Sequence, residues 1–242
     1  MDLTRGEFLG GVGALFTGRS LRAGTDVASY TIGYSVKGRA LRAHRLGPAD
    51  APSRYLVIGC MHGEEPAGTE IVRHQLINRT APRGVQLWLV PTVNPDGLAV
   101  GRRTNAHGVD LNRNFDGPHW KVQDPGTNIY SGPEPLSERE ARVMTRFLTD
   151  LQPHTITSMH QPLACVDFSE GASREHTLWL AARLGLPAVT LGSSGGNLTT
   201  WFNDLYPRKS AVTLELRRPT TAAMRRHTAD VLVRHAAHRA SG

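Results

Sequence analysis

Histidine and carboxylate side chains at short spacing are the first residues in this chain with the means to do chemistry. The segment CMHGEEP, residues 60–66, sets His62 and Glu65 three residues apart, directly after an apolar run. A loop of that length can turn one imidazole nitrogen and one carboxylate oxygen onto the same ion, and zinc takes N and O donors at ~2.0–2.2 Å. A catalytic zinc site needs three protein ligands and one open position for water. His160, within SMHQP, is the candidate third ligand because it also ends an apolar run. HxxE alone is a weak signal, and a strand-end histidine can equally be a hydrogen-bonded structural residue. The other histidines, among them His44, His74, His107 and His227, read as solvated or structural. Cys60 and Cys165 make neither a disulfide scaffold nor a CxxC site and read as two small buried thiols, each a few residues from a candidate ligand.

The elements that must position these residues follow from hydrophobic patterning. Ile32, Tyr34 and Val36 alternate with polar or small residues, Lys37-Gly38 can turn, and 41–46 supplies a second strand, together a hairpin. Residues 55–60 (YLVIGC) and 85–90 (VQLWLV) are continuous apolar runs, as expected of strands buried on both faces. Between them Pro66 and 67–78 predict a helix with Ile71, Val72 and Leu76 on one side. The second run is expected to end at Pro91 and at the turn NPDG, 94–97. A long polar segment, 100–135, follows, and such a stretch inside a compact domain is usually functional. SERE, 137–140, reads as a capping box before a helix carrying Ala141, Met144, Phe147, Leu148 and Leu151. Further strands are predicted at 155–159, 188–191 and 211–216, and helices at 175–184 and 221–235. Alternating strands and helices imply an α/β fold: a single domain with a mixed, mostly parallel central sheet covered by helices on both faces. In such sheets ligands bind outside the carboxyl ends of the strands. His62, His160 and Glu215, in the last predicted strand, all fall there.

Further motifs lie between the candidate ligands. HGEEPAG, NPDG, GVDLNRNF (108–115), the histidine of SMHQP and the glutamate of TLELR occur in that order. The series resembles the M14 family of zinc carboxypeptidases, and within it the murein peptide amidases, which cut the γ-D-glutamyl–diaminopimelate bond of cell-wall peptides. The likeness runs from about residue 34 to Glu215. It implies a zinc carboxypeptidase-like fold, one zinc per chain on His62, Glu65 and His160, and Glu215 as catalytic glutamate, general base then acid. It implies Arg103, rather than the adjacent Arg102, as the group that steadies the carbonyl oxygen. Asn112 and Arg113 correspond to the pair that holds the substrate's terminal carboxylate, which a guanidinium can grip with two parallel hydrogen bonds. Gln161 stands where murein amidases often carry an acidic residue. Residues 192–197, with Trp201, resemble a glycine-rich segment bordering the substrate. The expected reaction is zinc-dependent hydrolysis of an amide bond next to a free-carboxylate residue, in a peptide derived from peptidoglycan. The alternative is an N-acyl amino acid deacylase of the succinylglutamate desuccinylase or aspartoacylase type, whose members share HxxE and a DLNR-like motif.

Composition agrees with a globular domain rather than a disordered or repetitive chain: 242 residues, 39% hydrophobic and 20% charged. The formal charge of +7 raises nucleic acid as a partner. Against it, the charge is almost all arginine, the arginines are scattered, and no run of five basic residues occurs. Residues 1–29 read as a leader and 30–242 as the catalytic domain. Within the leader the apolar run 3–16 is too short for a membrane span, which needs ~20 residues. It resembles a twin-arginine export signal with Gly6 where the second arginine would stand, which leaves export and cytoplasmic residence both open.

Overall fold

The computed structural model describes residues 26–117, 119–168, 171–192 and 195–240. The glycine-rich segment 192–197 is therefore described only in part, and the leader lies outside the described residues up to position 25. The described chain enters its first strand at Val27, inside the stretch read as leader.

Eight strands form one mixed sheet: β1 (Val27–Tyr34), β2 (Ala40–Leu46), β3 (Ser53–Cys60), β4 (Val85–Thr92), β5 (Thr155–His160), β6 (Leu163–Asp167), β7 (Ala188–Val189) and β8 (Ser210–Arg217), in the order β1-β2-β4-β3-β5-β8-β6-β7. The centre, β4-β3-β5-β8, is parallel, β1 and β2 add an antiparallel hairpin on one side, and β6 runs antiparallel to β8 on the other. The helices are α1 (Ala67–Asn78), α2 (Pro95–Val100), α3 (Arg139–Leu151), α4 (Arg174–Leu184), α5 (Leu198–Leu205) and α6 (Ala222–Ala240).

Period-two alternation in the apolar runs divides the core into two layers. Tyr55 and Val57 of β3 and Leu87 and Leu89 of β4 pack under α1, α4 and α6. Leu56 and Ile58, with Trp88 and Val90, pack under α3 and α5. Helix α3 delivers Met144, Phe147, Leu148 and Leu151 to that second layer at helical spacing. Each such side chain contributes ~1.5–3 kcal/mol relative to exposure, so a charge at Phe147 would break the layer. The α/β sheet covered on both faces is the fold expected from the sequence.

Several local expectations differ. Pro91 does not end β4, which continues to Thr92. NPDG is a helix start rather than an isolated turn: Asn94 accepts the Gly97 N–H and Pro95 stands at the first position of α2. The capping box at 137–140 does not form. Glu138 occupies the cap position without a capping bond, its carboxylate instead accepting from the Asn105 amide at 2.7 Å and the Ser137 hydroxyl at 3.0 Å, while Glu140 accepts the Val36 N–H at 3.0 Å and the Asn105 amide at 3.3 Å. Strand β6 and helix α5 were not anticipated, and both border the cleft described next.

Candidate metal centre

The carboxyl ends of β3, β5 and β8 open onto one cleft of about 520 Å³, lined by His62, Glu65, Arg103, Asn112, Arg113, His160 and Glu215 among others. Local hydrogen bonds shape the turn that presents the first two. Cys60 Sγ–H and the Glu65 N–H both donate to the His62 carbonyl, at 2.9 and 3.0 Å. Burial pushes the Cys60 thiol up to about 12, so it remains a protonated donor. Gly63 must lack a side chain, because a Cβ there would lie 2.0 Å from the Gly97 carbonyl carbon at the start of α2. Gln161 ties this turn to its neighbours. Its Oε1 accepts the Ala67 N–H at 3.2 Å, and its Nε2 donates to the Arg217 carbonyl and to Thr220 Oγ1 at 3.3 and 3.1 Å.

Register supplies the rest. Parallel pairing of β5 with β8 sets His160 beside Glu215, and antiparallel pairing of β8 with β6 sets Glu215 opposite Cys165. His62, Glu65 and His160 are all buried, and one donor atom of each lies within 4.8 Å of the others. His62 Nδ1 is 2.9 Å from Glu65 Oε1, while His160 Nδ1 is 3.1 Å from Glu65 Oε2 and 3.2 Å from His62 Nδ1.

The tautomers decide what this convergence means. His62 Nε2 is 3.0 Å from Asp110 Oδ1 and Nδ1 is 2.9 Å from Glu65 Oε1, both carboxylates that only accept, so the ring can donate on either side; with a cation on Nδ1, Asp110 holds the remaining proton on Nε2. His160 Nε2 lies 3.3 Å from Ser158 Oγ, which can accept its proton. Two imidazole lone pairs and a carboxylate then face one point. Such crowding is relieved by a cation, either a proton on a ring nitrogen or a metal ion between the groups. Donors ~2.1 Å from a tetrahedral zinc sit ~3.4 Å from one another, close to the spacing found. The donor set fits a zinc ion.

Asp110, to which the sequence reading assigned no role, is central to this arrangement. It is fully buried and accepts from His62 Nε2, from Arg103 Nε and Nη2 at 3.1 and 2.9 Å, and from the Asn112 N–H at 2.9 Å. Burial raises the pKa of both Asp110 and Glu65. The adjoining histidines, with Arg103 and Arg113 for Asp110, outweigh that and hold both carboxyls well below the usual range. The one signal for Asp110 was its place within GVDLNRNF.

Arg103 is anchored by Asp110 and turns Nη1 to within 3.5 Å of Glu65 Oε1, whereas Arg102 is exposed. Asn112 Oδ1 accepts the Leu198 N–H at 3.1 Å, which leaves its NH₂ as the donor end. Arg113 lines the cleft and donates Nη1 to the Asn112 carbonyl at 2.8 Å. Gly196, at φ +66°, lets this backbone pass where a Cβ would lie 2.2 Å from the Arg113 carbonyl oxygen. Glu215 is 8% exposed and accepts the Leu163 N–H at 3.3 Å. Burial pushes its carboxyl above the ordinary range, helped by Glu65 and opposed by His160 and the Leu163 N–H. All seven residues singled out from the sequence thus line one cleft.

The sequence profile of the family described as zinc carboxypeptidase matches residues 22–168. The chain belongs to that family. It is a metallopeptidase of the carboxypeptidase type, and its relatives include murein amidases. Murein peptide amidase A of Escherichia coli K12 is 34% identical over 173 residues, 65% of this zinc carboxypeptidase and 70% of that protein. The crystal structure of the murein-tripeptide amidase of Escherichia coli O157 superposes with a TM-score of 0.69 at 26% identity, covering 90% of this chain and 93% of that one. Bovine thrombin-activatable fibrinolysis inhibitor shares the fold, with a TM-score of 0.76 at 20% identity over 89% and 90% of the two chains. Among the described residues no helix is long and apolar enough to cross a membrane.

Proposed function

We propose that this zinc carboxypeptidase hydrolyses an amide bond next to a free-carboxylate residue in cell-wall (murein) peptides, with one zinc per chain held by His62, Glu65 and His160. The observation that carries this reading is the convergence of three potential ligand atoms, one each from His62, Glu65 and His160, beside the buried Glu215, with Asn112 and Arg113 in the same cleft. Zinc bound there would supply Lewis acidity, acidifying water and polarising a carbonyl.

The chain's own residues do the rest. Glu215, with its raised pKa, takes a proton from the attacking water and returns it to the leaving amine. Arg103, fixed by Asp110, offers its free edge to the oxygen on which negative charge develops. Loss of one such donor typically costs ~2.7–4 kcal/mol in the transition state. Arg113 and the Asn112 amide grip the terminal carboxylate, which orients the peptide and selects the end that enters. The relatives named as murein peptide amidase and murein-tripeptide amidase support a murein peptide as substrate, and the resemblance of the motifs implies its γ-D-glutamyl–diaminopimelate bond.

The test offers the purified protein a γ-glutamyl–diaminopimelate tripeptide and a panel of N-acyl amino acids, with and without chelator. Chelator-sensitive cleavage of the tripeptide is expected, and Glu215→Gln should lower it by at least ~10³-fold while zinc stays at one per chain. Cleavage of N-acyl amino acids alone would install the deacylase reading instead.

A further inference from the structure

The SERE segment does not act as a capping box, and what its residues bind instead connects them to the cleft. Glu138 and Glu140 are both buried at the start of α3, and buried carboxylates need donors. One donor serves the two of them: Asn105 Nδ2 reaches Glu138 Oε2 at 2.7 Å and Glu140 Oε2 at 3.3 Å. His107 Nδ1 lies 2.8 Å from the same Glu138 oxygen. The Glu138 N–H donates to Asn114 Oδ1 at 3.0 Å. The start of α3 thus holds the segment 105–114 near both its ends.

That segment carries polar groups of the site. Asn105 is buried and stands two residues after Arg103 and five before Asp110. Its Oδ1 accepts the His107 and Val109 N–H groups at 3.0 and 3.1 Å, and its own N–H donates to the Val109 carbonyl at 2.9 Å. These bonds fold 105–109 into a turn that brings Arg103 back onto Asp110. With Oδ1 committed to the turn, Nδ2 is the end that ties it to α3. Helix α3 is itself fixed by Met144, Phe147 and Leu148 in the core. A continuous path therefore runs from the core through Glu138 and Asn105 to the Arg103–Asp110 pair.

We propose that Glu138 is a positioning residue: through Asn105 it sets where Arg103 and Asp110 stand, without itself touching the substrate. This rests on the amide-hydrolysis reading and deepens it. A displacement of about 1 Å in a group aimed at the reacting centre can cost ~10²-fold in rate. The effect falls on the step that Arg103 serves, because the carboxylate-binding pair has a separate tie. Asn114, next to Arg113, binds the Glu138 N–H and donates to the Ser131 and Glu134 carbonyls, and no change of the Glu138 side chain removes those groups.

Two substitutions at one position test this on the full chain. Glu138→Ala deletes the anchor, whereas Glu138→Gln keeps an oxygen for the Asn105 amide and turns its NH₂ to Ser137 Oγ, which can accept. In the tripeptide digest Glu138→Ala should lower kcat ~10–100-fold with KM little changed, and Glu138→Gln should recover most of the loss. Competitive chelation reads the same displacement without a substrate, since Asp110 orients His62. Zinc affinity should fall about tenfold in Glu138→Ala and return in Glu138→Gln. Asn105→Asp is a second break: it keeps the acceptor of the turn but sets a third carboxylate against Glu138 and Glu140. Adding Glu138→Gln to it restores the bond with donor and acceptor exchanged, and kcat should recover. Thermal melts fix an assay temperature below unfolding. Unchanged kcat and zinc affinity in folded Glu138→Ala, or no recovery in Glu138→Gln, would overturn the proposal. Failure of both Glu138→Ala and Asn105→Asp to fold would also overturn it, since the anchor would then serve stability alone. If the wild type leaves the tripeptide intact while zinc affinity follows the expected order, the reaction is wrong and the positioning of Asp110 stands.

Discussion

Two buried pairs of histidines stand among the described residues, and one of them borders the cleft. His62 and His160 lie with ring centroids 4.8 Å apart at the carboxyl ends of β3 and β5. His176 of α4 and His235 of α6 stack at 4.5 Å beneath the helices on one face of the sheet. All four side chains are nearly or wholly inaccessible, so burial does not separate them. Their company does. At the first pair burial pulls the His62 pKa down, but Asp110 and Glu65 outweigh it and leave it raised. At the second pair no carboxylate intervenes. His176 bonds Ser210 Oγ at 2.9 Å, His235 bonds the Tyr55 hydroxyl at 2.7 Å, and Trp179 packs on His235. Burial, with Arg239 adding to it, lowers His176 well below its ordinary value and His235 to about 3. One pair is built to face a cation and the other to remain neutral inside the core. Residue type and burial do not make a metal site; acceptors converging on one point do.

The sharpest way to break this comparison is to remove one histidine from each pair. His160→Ala should cost zinc far more than the ~10–100-fold typical when a residue that only supports a ligand is lost, and with it hydrolysis. His235→Ala should keep one zinc per chain and lose stability instead. Metal analysis of the dialysed proteins decides, and zinc loss from folded His235→Ala would end the distinction.

A milder change tests the carboxylates. Asp110→Asn retains a side chain of the same shape but gives up the charge that fixes the His62 tautomer. Zinc affinity should fall ~10–100-fold by competitive chelation, and an unchanged affinity would mean Asp110 does not orient His62.

The smallest effect is read in stability against pH. His176 and His235 have depressed folded-state pKa values, so below ~6.5 the unfolded chain binds protons that the folded chain refuses. Stability is therefore fully present above ~6.5 and declines on acidification, for His235 down to about 3, by at most ~1.4 kcal/mol per pH unit for each histidine. His235→Phe should remove that residue's share, flattening the slope of denaturant-derived stability between roughly pH 4.5 and 6.5. A slope identical to the wild type would show that His235 is not neutral in the fold.

How legible each element was depends on length and burial. Strands β3, β4, β5 and β8 are buried runs of branched and aliphatic residues, and α1 and α3 carry a clear apolar side, so local pattern sufficed. Strand β6 is five residues long, and its apolar run, Leu163 to Val166, is cut to four residues between Pro162 and Asp167, too short to separate from a loop. Helix α5 is eight residues, too short for its period to separate from a loop, although Asn197 caps it by accepting the Thr200 N–H. Gln161 stands where murein amidases often carry an acidic residue, and it lines the cleft. In the fold its amide oxygen and nitrogen bind Ala67, Arg217 and Thr220, so it braces the strand ends.

What the sequence determined by itself was the set of chemical groups and their order: HxxE, the arginines, GVDLNRNF, a third histidine and a late glutamate, on an alternating α/β frame. Only the tertiary structure decided which nitrogen of His62 faces Asp110 and which faces Glu65, that Asp110 serves both His62 and Arg103, and that Asp167 shares a face with Glu215. Arg103 and Asp110 are seven positions apart, but the His62–Asp110 contact spans 48, and Asp167 meets the Glu215 strand through a pairing that no local window contains. Hydrophobic period records which face a residue takes; it carries no information about which distant lone pair that face will meet.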